Sequence, residues 1–410
     1  MKRLLPVLGA LVLVAAVLAV VVWQRSDTVA APLPPPGDVV LQYADGSPLW
    51  RSGEPETPLV KRVTKELATS ASMTVGRLRE VGGATVVTTI DPKAQSGALE
   101  VIRTVSAGQP ASLRYSITAV DPNTGAVTAY APGNDPAADY AGGVLKEPGQ
   151  AFFPFNVVAA LQSGKTLDST YDGRSPRVFG QASVSDKADC GERCTVRDAL
   201  RKSGNVVMYD LVANDVGVKP VVTAAHQAGV PESVDLDGTK TKLLVGDGDN
   251  TPNAGVSLGA SEARLRPLDL AAAYATFAAA GTRHNAHFIT RVTNAGGDLV
   301  YRAVDPAKPA FDQDPARSKD IANQITGALR DAGACGPDAA CLNGEWRPGV
   351  PDREQVAHAW TVGYTPRASV AVFVGSDRPA APALDKEGRA VVGSGLPNEM
   401  WRAMQEKLTP

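Results

Sequence analysis

Lys2 and Arg3 precede an uninterrupted apolar run from Leu4 to Trp23, about the 20 residues that one membrane-spanning helix requires. The basic flank favours a cytoplasmic tip, which places everything after Gln24 outside the membrane. A cleaved signal peptide is the competing reading, because Thr28-Val29-Ala30 or Val29-Ala30-Ala31 offers a small-residue cleavage site. The length of the run exceeds a usual signal core, so an uncleaved anchor over residues 1–23 is expected. No lipobox-type cysteine follows it.

The stretch Ala31-Pro32-Leu33-Pro34-Pro35-Pro36-Gly37 is too rich in proline to continue a helix and suits a stiff spacer. Residues 24–83 read as this spacer and a membrane-proximal linker region, with helix-compatible sequence from Leu59 to Val81. The remainder, 84–410, reads as one domain, long enough to bury a substantial core. The net charge of -2 and the absence of a Lys/Arg run exclude nucleic acid as a partner.

All four cysteines lie in two close pairs, Cys190 with Cys194 and Cys335 with Cys341. An exported compartment permits disulfides, and local pairing is the simplest connectivity. A structural zinc site is the alternative, although neither pair has the two-residue gap of a zinc knuckle.

From Ala84 the pattern becomes β-rich: Thr85-Val86-Val87-Thr88-Thr89-Ile90 predicts a strand that stops at Asp91-Pro92, and helical spacing follows through Ala94, Ala98, Leu99 and Ile102. Ser116 to Val120 and Ala126 to Tyr130 flank a turn and predict the first hairpin of a central antiparallel sheet. Pro267 opens a helix closed by Gly281, Ala368 to Val374 predicts a returning strand, and Pro397 to Leu408 a last helix. Strands at both ends with helices between indicate an α+β fold, in which distant strands share one sheet against a helical subdomain.

Several segments, in order, resemble the transpeptidase domain of class A penicillin-binding proteins, particularly the actinobacterial type. They are Gly82 to Gln95, Val120 to Val127, Asp139-Tyr140-Ala141, Ser257-Leu258-Gly259, Trp360 to Pro366, and Gly393 to Pro397. The resemblance covers about four-fifths of the chain. It implies the penicillin-binding protein/β-lactamase-like fold, an antiparallel sheet with a helical subdomain, and a role in cell-wall peptidoglycan assembly. Relatives usually carry a glycosyltransferase domain between anchor and transpeptidase domain, and residues 24–83 are too few to hold one.

The same resemblance exposes a gap in the chemistry. The family's Pro-Gly-Ser-x-Phe-Lys-Pro-Phe stretch, with its serine nucleophile and lysine proton acceptor, corresponds here to Pro148-Gly149-Gln150-Ala151-Phe152-Phe153-Pro154-Phe155. An amide nitrogen is not nucleophilic and phenylalanine does not titrate, so neither Gln150 nor Phe153 can take those roles. No Ser-x-x-Lys tetrad occurs elsewhere in the sequence. The family's Ser-x-Asn element survives as Ser203-Gly204-Asn205. Its bland reading is a self-capped loop. A gapless count back from Trp360 puts the family's Lys-Thr-Gly near Gly349-Val350-Pro351, and no such tripeptide exists in the chain. Its lookalikes Lys165-Thr166-Leu167 and Lys240-Thr241-Lys242 read as solvated loops.

Phe152, Phe153 and Phe155 indicate either a cleft filled as core or an apolar groove for a peptide segment. His284 and His287 lack further ligands for a metal, and Asp247-Gly248-Asp249-Asn250 lacks the glutamate of an EF-hand loop. His226 and His358 stand alone in the sequence. No cofactor or metal is implied. The expectation is therefore a membrane-anchored, extracytoplasmic pseudo-transpeptidase acting as scaffold or regulator. Cell-wall synthesis or division proteins are the expected partners, and a peptidoglycan peptide is a further candidate. An active D,D-transpeptidase or carboxypeptidase using Ser203, and a non-covalent peptidoglycan or β-lactam sensor, are the alternatives.

Overall fold

The computed structural model describes residues 35–136, 138–187, 189–348, 355–378 and 381–409. The expected anchor, the spacer before Pro35, and Gly349-Val350-Pro351 lie outside the described residues. Among the described residues, no helix is long and apolar enough to cross a membrane.

Residues 38–83, expected as a linker region, are an integral part of the fold. β1 (Val39–Gln42) and β2 (Pro48–Arg51) form a hairpin. β1 also pairs in parallel with β3 (Ala84–Thr88), the strand expected from its β-branched run. β13 (Ile289–Asn294) and β14 (Leu299–Arg302) complete a five-stranded sheet in the order β14-β13-β3-β1-β2. Alternating residues Val39, Leu41, Val86 and Val292 are fully buried on its inner face, as the period of two requires. The helix-compatible stretch becomes two helices, α1 (Pro58–Ser70) and α2 (Val75–Glu80). The break has a local cause: Thr74 is extended and its hydroxyl accepts from the N–H of Arg77, capping a fresh helix start.

The central sheet contains β4 (Leu113–Val120), β5 (Val127–Ala131), β16 (Ala340–Trp346), β17 (His358–Tyr364) and β18 (Ser369–Ser376), ordered β16-β17-β18-β4-β5 and antiparallel throughout. The expected pairing of distant strands is thus present. On β18, Val370, Val372 and Val374 bury against α3 (Pro92–Ser106) and α10 (Leu396–Leu408), whereas Ala371 and Phe373 bury into the opposite core. Both faces are covered, so the strand reads as an apolar run rather than an alternation.

The helical subdomain comprises α4 (Phe153–Gln162), α5 (Val196–Lys202), α6 (Asn205–Asp210), α7 (Val218–Ala228), α8 (Pro267–Ala278) and α9 (Pro315–Asp331). α8 starts at its expected proline and packs on the central sheet. Short hairpins decorate it: β6 (Thr170–Gly173) with β9 (Gly191–Thr195), and β7 (Arg177–Phe179) with β8 (Ala182–Val184). β10 (Ser233–Leu236) pairs with β11 (Thr239–Lys242), so Lys240-Thr241-Lys242 lies in a strand rather than a loop. β12 (Thr282–Arg283) pairs with β15 (Lys308–Pro309).

Both cysteine pairs are disulfides, Cys190–Cys194 and Cys335–Cys341, with Cα–Cα distances of 5.4 and 6.0 Å. They staple local loops, and the zinc alternative falls with them. His284 contacts the carboxylate of Asp305, and Asp249 pairs with Lys242 at 2.5 Å.

Glu66 on α1 ties residues 38–83 to the rest of the chain. Its carboxylate accepts from the N–H groups of Phe288 (2.8 Å) and Ile289 (3.0 Å) at the start of β13. Glu66→Ala leaves both donors unsatisfied and is expected to cost about 2 kcal/mol in denaturant unfolding. Amide exchange at Phe288 and Ile289 should accelerate in the variant.

Candidate functional site

The segment around Gln150 is held by backbone packing too close for side chains. A Cβ on Gly259 would lie 2.0 Å from the carbonyl oxygen of Gly149, and one on Gly344 would lie 2.0 Å from that of Pro148. Gly149 N–H donates to Gly259 O at 3.0 Å. Three distant stretches of chain therefore meet at one point: the start of α4, the loop after Ser257, and the edge strand β16.

After the turn Gly149–Phe152, α4 enters the core directly. Phe152, Phe153 and Phe155 have no solvent exposure. Phe152 meets Phe155 edge-on at 5.0 Å, and Phe155 contacts Phe277 at 6.2 Å. Tyr274 Oη donates to Ala151 O at 2.7 Å, fixing the turn from below. Of the two readings of the aromatic cluster, the filled core is the observed one.

Gln150 is half-buried, and both ends of its amide are engaged. Its Nε2 donates to Asn205 Oδ1 at 3.1 Å, and its Oε1 accepts from the N–H of Glu345 at 3.0 Å. One side chain thus bridges the helical subdomain and the sheet edge. Asn205 is fixed in turn by its Nδ2 bond to Ser185 O (2.9 Å). The Asp186 carboxylate accepts from the N–H groups of Asn205 (2.5 Å) and Val206 (3.3 Å) at the start of α6. Burial raises the Asp186 carboxyl above its ordinary value, and these two N–H groups oppose that shift.

Ser203 is brought near this cluster by sequence but does not join it. It caps α5 in the left-handed region, with φ 57°, and its hydroxyl has no hydrogen-bond partner among the described residues. The neighbouring Lys202 Nζ instead reaches Cys190 Sγ at 3.8 Å.

The edge strand facing the Gln150 segment is β16, which meets it at Gly344 and Glu345; Gly349 to Pro351 lie outside the described residues. The register of β16 with β17 places Trp346 opposite His358. β16 reads Ala-Cys-Leu-Asn-Gly-Glu-Trp and carries no cation. Its Glu345 carboxylate accepts from Lys187 Nζ (3.0 Å), from the Arg347 guanidinium (3.0 Å) and from Gly393 N–H (3.3 Å). Lys187 comes from the β8–β9 connection, so this ion cluster joins three walls of the cleft.

The penicillin-binding protein transpeptidase domain model matches residues 115–338. This chain belongs to that family. Penicillin-binding protein 1A of Mycolicibacterium smegmatis is 35% identical over 337 residues, covering 79% of this chain and 41% of the relative. Penicillin-binding protein 1A of Mycobacterium tuberculosis is 33% identical over 362 residues, covering 86% of this chain and 43% of the relative. The chain thus spans less than half the length of these two relatives. Among solved structures, the penicillin-binding protein PonA1 from Mycobacterium tuberculosis superposes with a TM-score of 0.76 at 33% identity, over 85% of this chain and 90% of that one. PonA1 in complex with penicillin V gives the same TM-score of 0.76 at 32% identity.

Within this penicillin-binding protein fold, the residues that sequence reasoning missed are Asp186, Lys187, Glu345 and His358. The first two sit on a hairpin connection with no motif to mark them. Glu345 was hidden by the register of β16. His358 looked isolated, yet its Nε2 donates to the carbonyl of Glu147 at 2.9 Å, as does Trp360 Nε1 at 2.9 Å. Together they anchor the backbone just ahead of Gln150, and Trp346 stacks on the imidazole at 5.1 Å.

Burial pushes the His358 imidazole down to about 3, with the Glu147 carbonyl bond opposing the shift. The unfolded chain therefore binds a proton that the folded protein refuses between about pH 6.5 and that value. Stability from this residue is full above pH 6.5 and falls as pH drops through the window. Denaturant unfolding against pH should show this acid limb. His358→Gln, which keeps a donor for Glu147 O, should flatten it by up to about 1.4 kcal/mol per pH unit.

Proposed function

We propose that this chain is a catalytically inactive transpeptidase-like module, a membrane-anchored scaffold or regulator of peptidoglycan assembly on the extracytoplasmic side. The observation that carries the reading is the Gln150 amide, saturated by Asn205 and Glu345 at the place where relatives hold their nucleophile. A side chain whose donor and acceptor both brace the walls is doing a structural job. Phe153 adds to this, since a lysine in its fully buried site would need a charged partner that the aromatic surroundings do not offer.

The edge strand supports the same reading. An incoming peptide that pairs with β16 would have to displace Gln150 from the Glu345 N–H. It would also meet the Glu345 carboxylate where an anionic substrate terminus needs a cation. The anchor rests on Lys2, Arg3 and the Leu4–Trp23 run. With residues 1–23 in the membrane, the folded portion from about residue 38 stands outside it. The partners are cell-wall synthesis or division proteins, which such a module would hold by its outer surface rather than by its cleft.

The test is incubation of the full chain in detergent with a fluorescent penicillin, followed by intact-mass measurement, alongside an active penicillin-binding protein. No covalent adduct is expected for the wild type or for Ser203→Ala. A stoichiometric adduct on the wild type would overturn the inactive reading, and its loss in Ser203→Ala would identify the nucleophile.

A further inference from the structure

β14 closes one side of the five-stranded sheet and leaves its outer edge open. Ala303 N–H donates to Thr290 O toward β13. Because successive residues alternate, the N–H and C=O groups of Arg302 point to the open edge, and the register shift opposite Val292 and Thr293 leaves Val300 as the extra residue of a bulge. The strand is unusually apolar for such a position: Leu299 and Val300 are 50% and 43% exposed, and Val304 just beyond its end is 85% exposed.

The outer face beside this edge carries an uncompensated charge pair. Arg291 on β13 lies directly opposite Arg302 on β14, and both are exposed. Neither has an ion-pair or hydrogen-bond partner among the described residues. Like charges directly opposite across an antiparallel pair are destabilising. The nearby acids are committed elsewhere, Asp298 to Asn294 in the hairpin turn and Asp305 to His284. A single basic residue on an edge is a common guard against aggregation. Arg291, however, sits on the inner strand, where no guard is needed.

We infer that β14 is a docking edge for an extended, acidic protein segment, which adds as a further strand and sets carboxylates over Arg291 and Arg302. Main-chain bonds to Arg302 supply the pairing, and alternate side chains supply selectivity. A second copy of this chain is disfavoured as occupant. Edge-to-edge pairing would bring two more arginines to a face whose own pair is not neutralised. The surface belongs to the other sheet from Gln150, so the inference goes beyond the inactive-cleft reading and survives its failure.

The probe is a blocked peptide of alternating valine and glutamate, with the matching valine-lysine peptide as control. Fluorescence anisotropy should show saturable binding of the acidic peptide alone, with exchange protection gained at the Arg302 amide. Arg291→Glu with Arg302→Glu should weaken it by about tenfold or more, the equivalent of two lost charge contacts. Peptide N-methylated along its pairing edge should not bind. Protection of the Tyr301 and Ala303 amides, which face β13, checks that the variants keep the sheet.

Equal binding of the lysine peptide, or of the N-methylated one, overturns strand addition. So does the absence of saturable acidic-peptide binding, or protection of the Arg302 amide by self-association without peptide. Binding to phosphatidylglycerol vesicles that is lost in the double arginine variant, with no peptide binding, would assign the face to the membrane instead.

Discussion

The close backbone approach at Gly149, Gly259 and Gly344 is the constraint on which the site depends. At 2.0 Å from a facing carbonyl oxygen, no side chain can exist at Gly259 or Gly344. The turn before α4, the loop after Ser257 and the edge strand are therefore locked in backbone contact. The side chain at position 150 then faces the backbone of position 345, and α6 brings position 205 alongside. The junction holds whether or not those side chains can do chemistry.

What they do here is hold the two halves together. In an active transpeptidase of this family, the resemblance implies a serine and lysine at 150 and 153 and a cation on the edge strand. This chain presents a neutral amide, a buried aromatic ring and a carboxylate. Each replacement is consistent with the others. Gln150 satisfies the Glu345 N–H that a substrate strand would otherwise seek, Phe153 removes a buried charge, and Lys187 with Arg347 neutralises Glu345. Polar groups in a half-buried cleft are costly unless paired, and the observed pairing meets that requirement without a ligand.

Much of the architecture was legible in the sequence because its signals are local. Pro267 starts α8, the β-branched run at Ala84 is β3, and the turn at Asp121 joins β4 to β5. The two short cysteine spacings became two disulfides. The helix expected from Leu59 to Val81 failed at a local feature too, the cap formed by Thr74. The misreading of residues 38–83 as a linker had a different origin. Short strands such as Val39–Gln42 declare themselves only through a partner, and theirs lies some 45 residues away at β3.

The sequence by itself determined the family, the order of the main elements, and the absence of any Ser-x-x-Lys tetrad, because these are statements about which residue types exist. It could not say what the substitutes do. That Gln150 braces Asn205 and Glu345, and that Asp186 and Lys187 reach that cluster, were decided only by the tertiary structure. The reason is physical: each contact joins residues between about 20 and 195 positions apart, so no local pattern in the chain announces it.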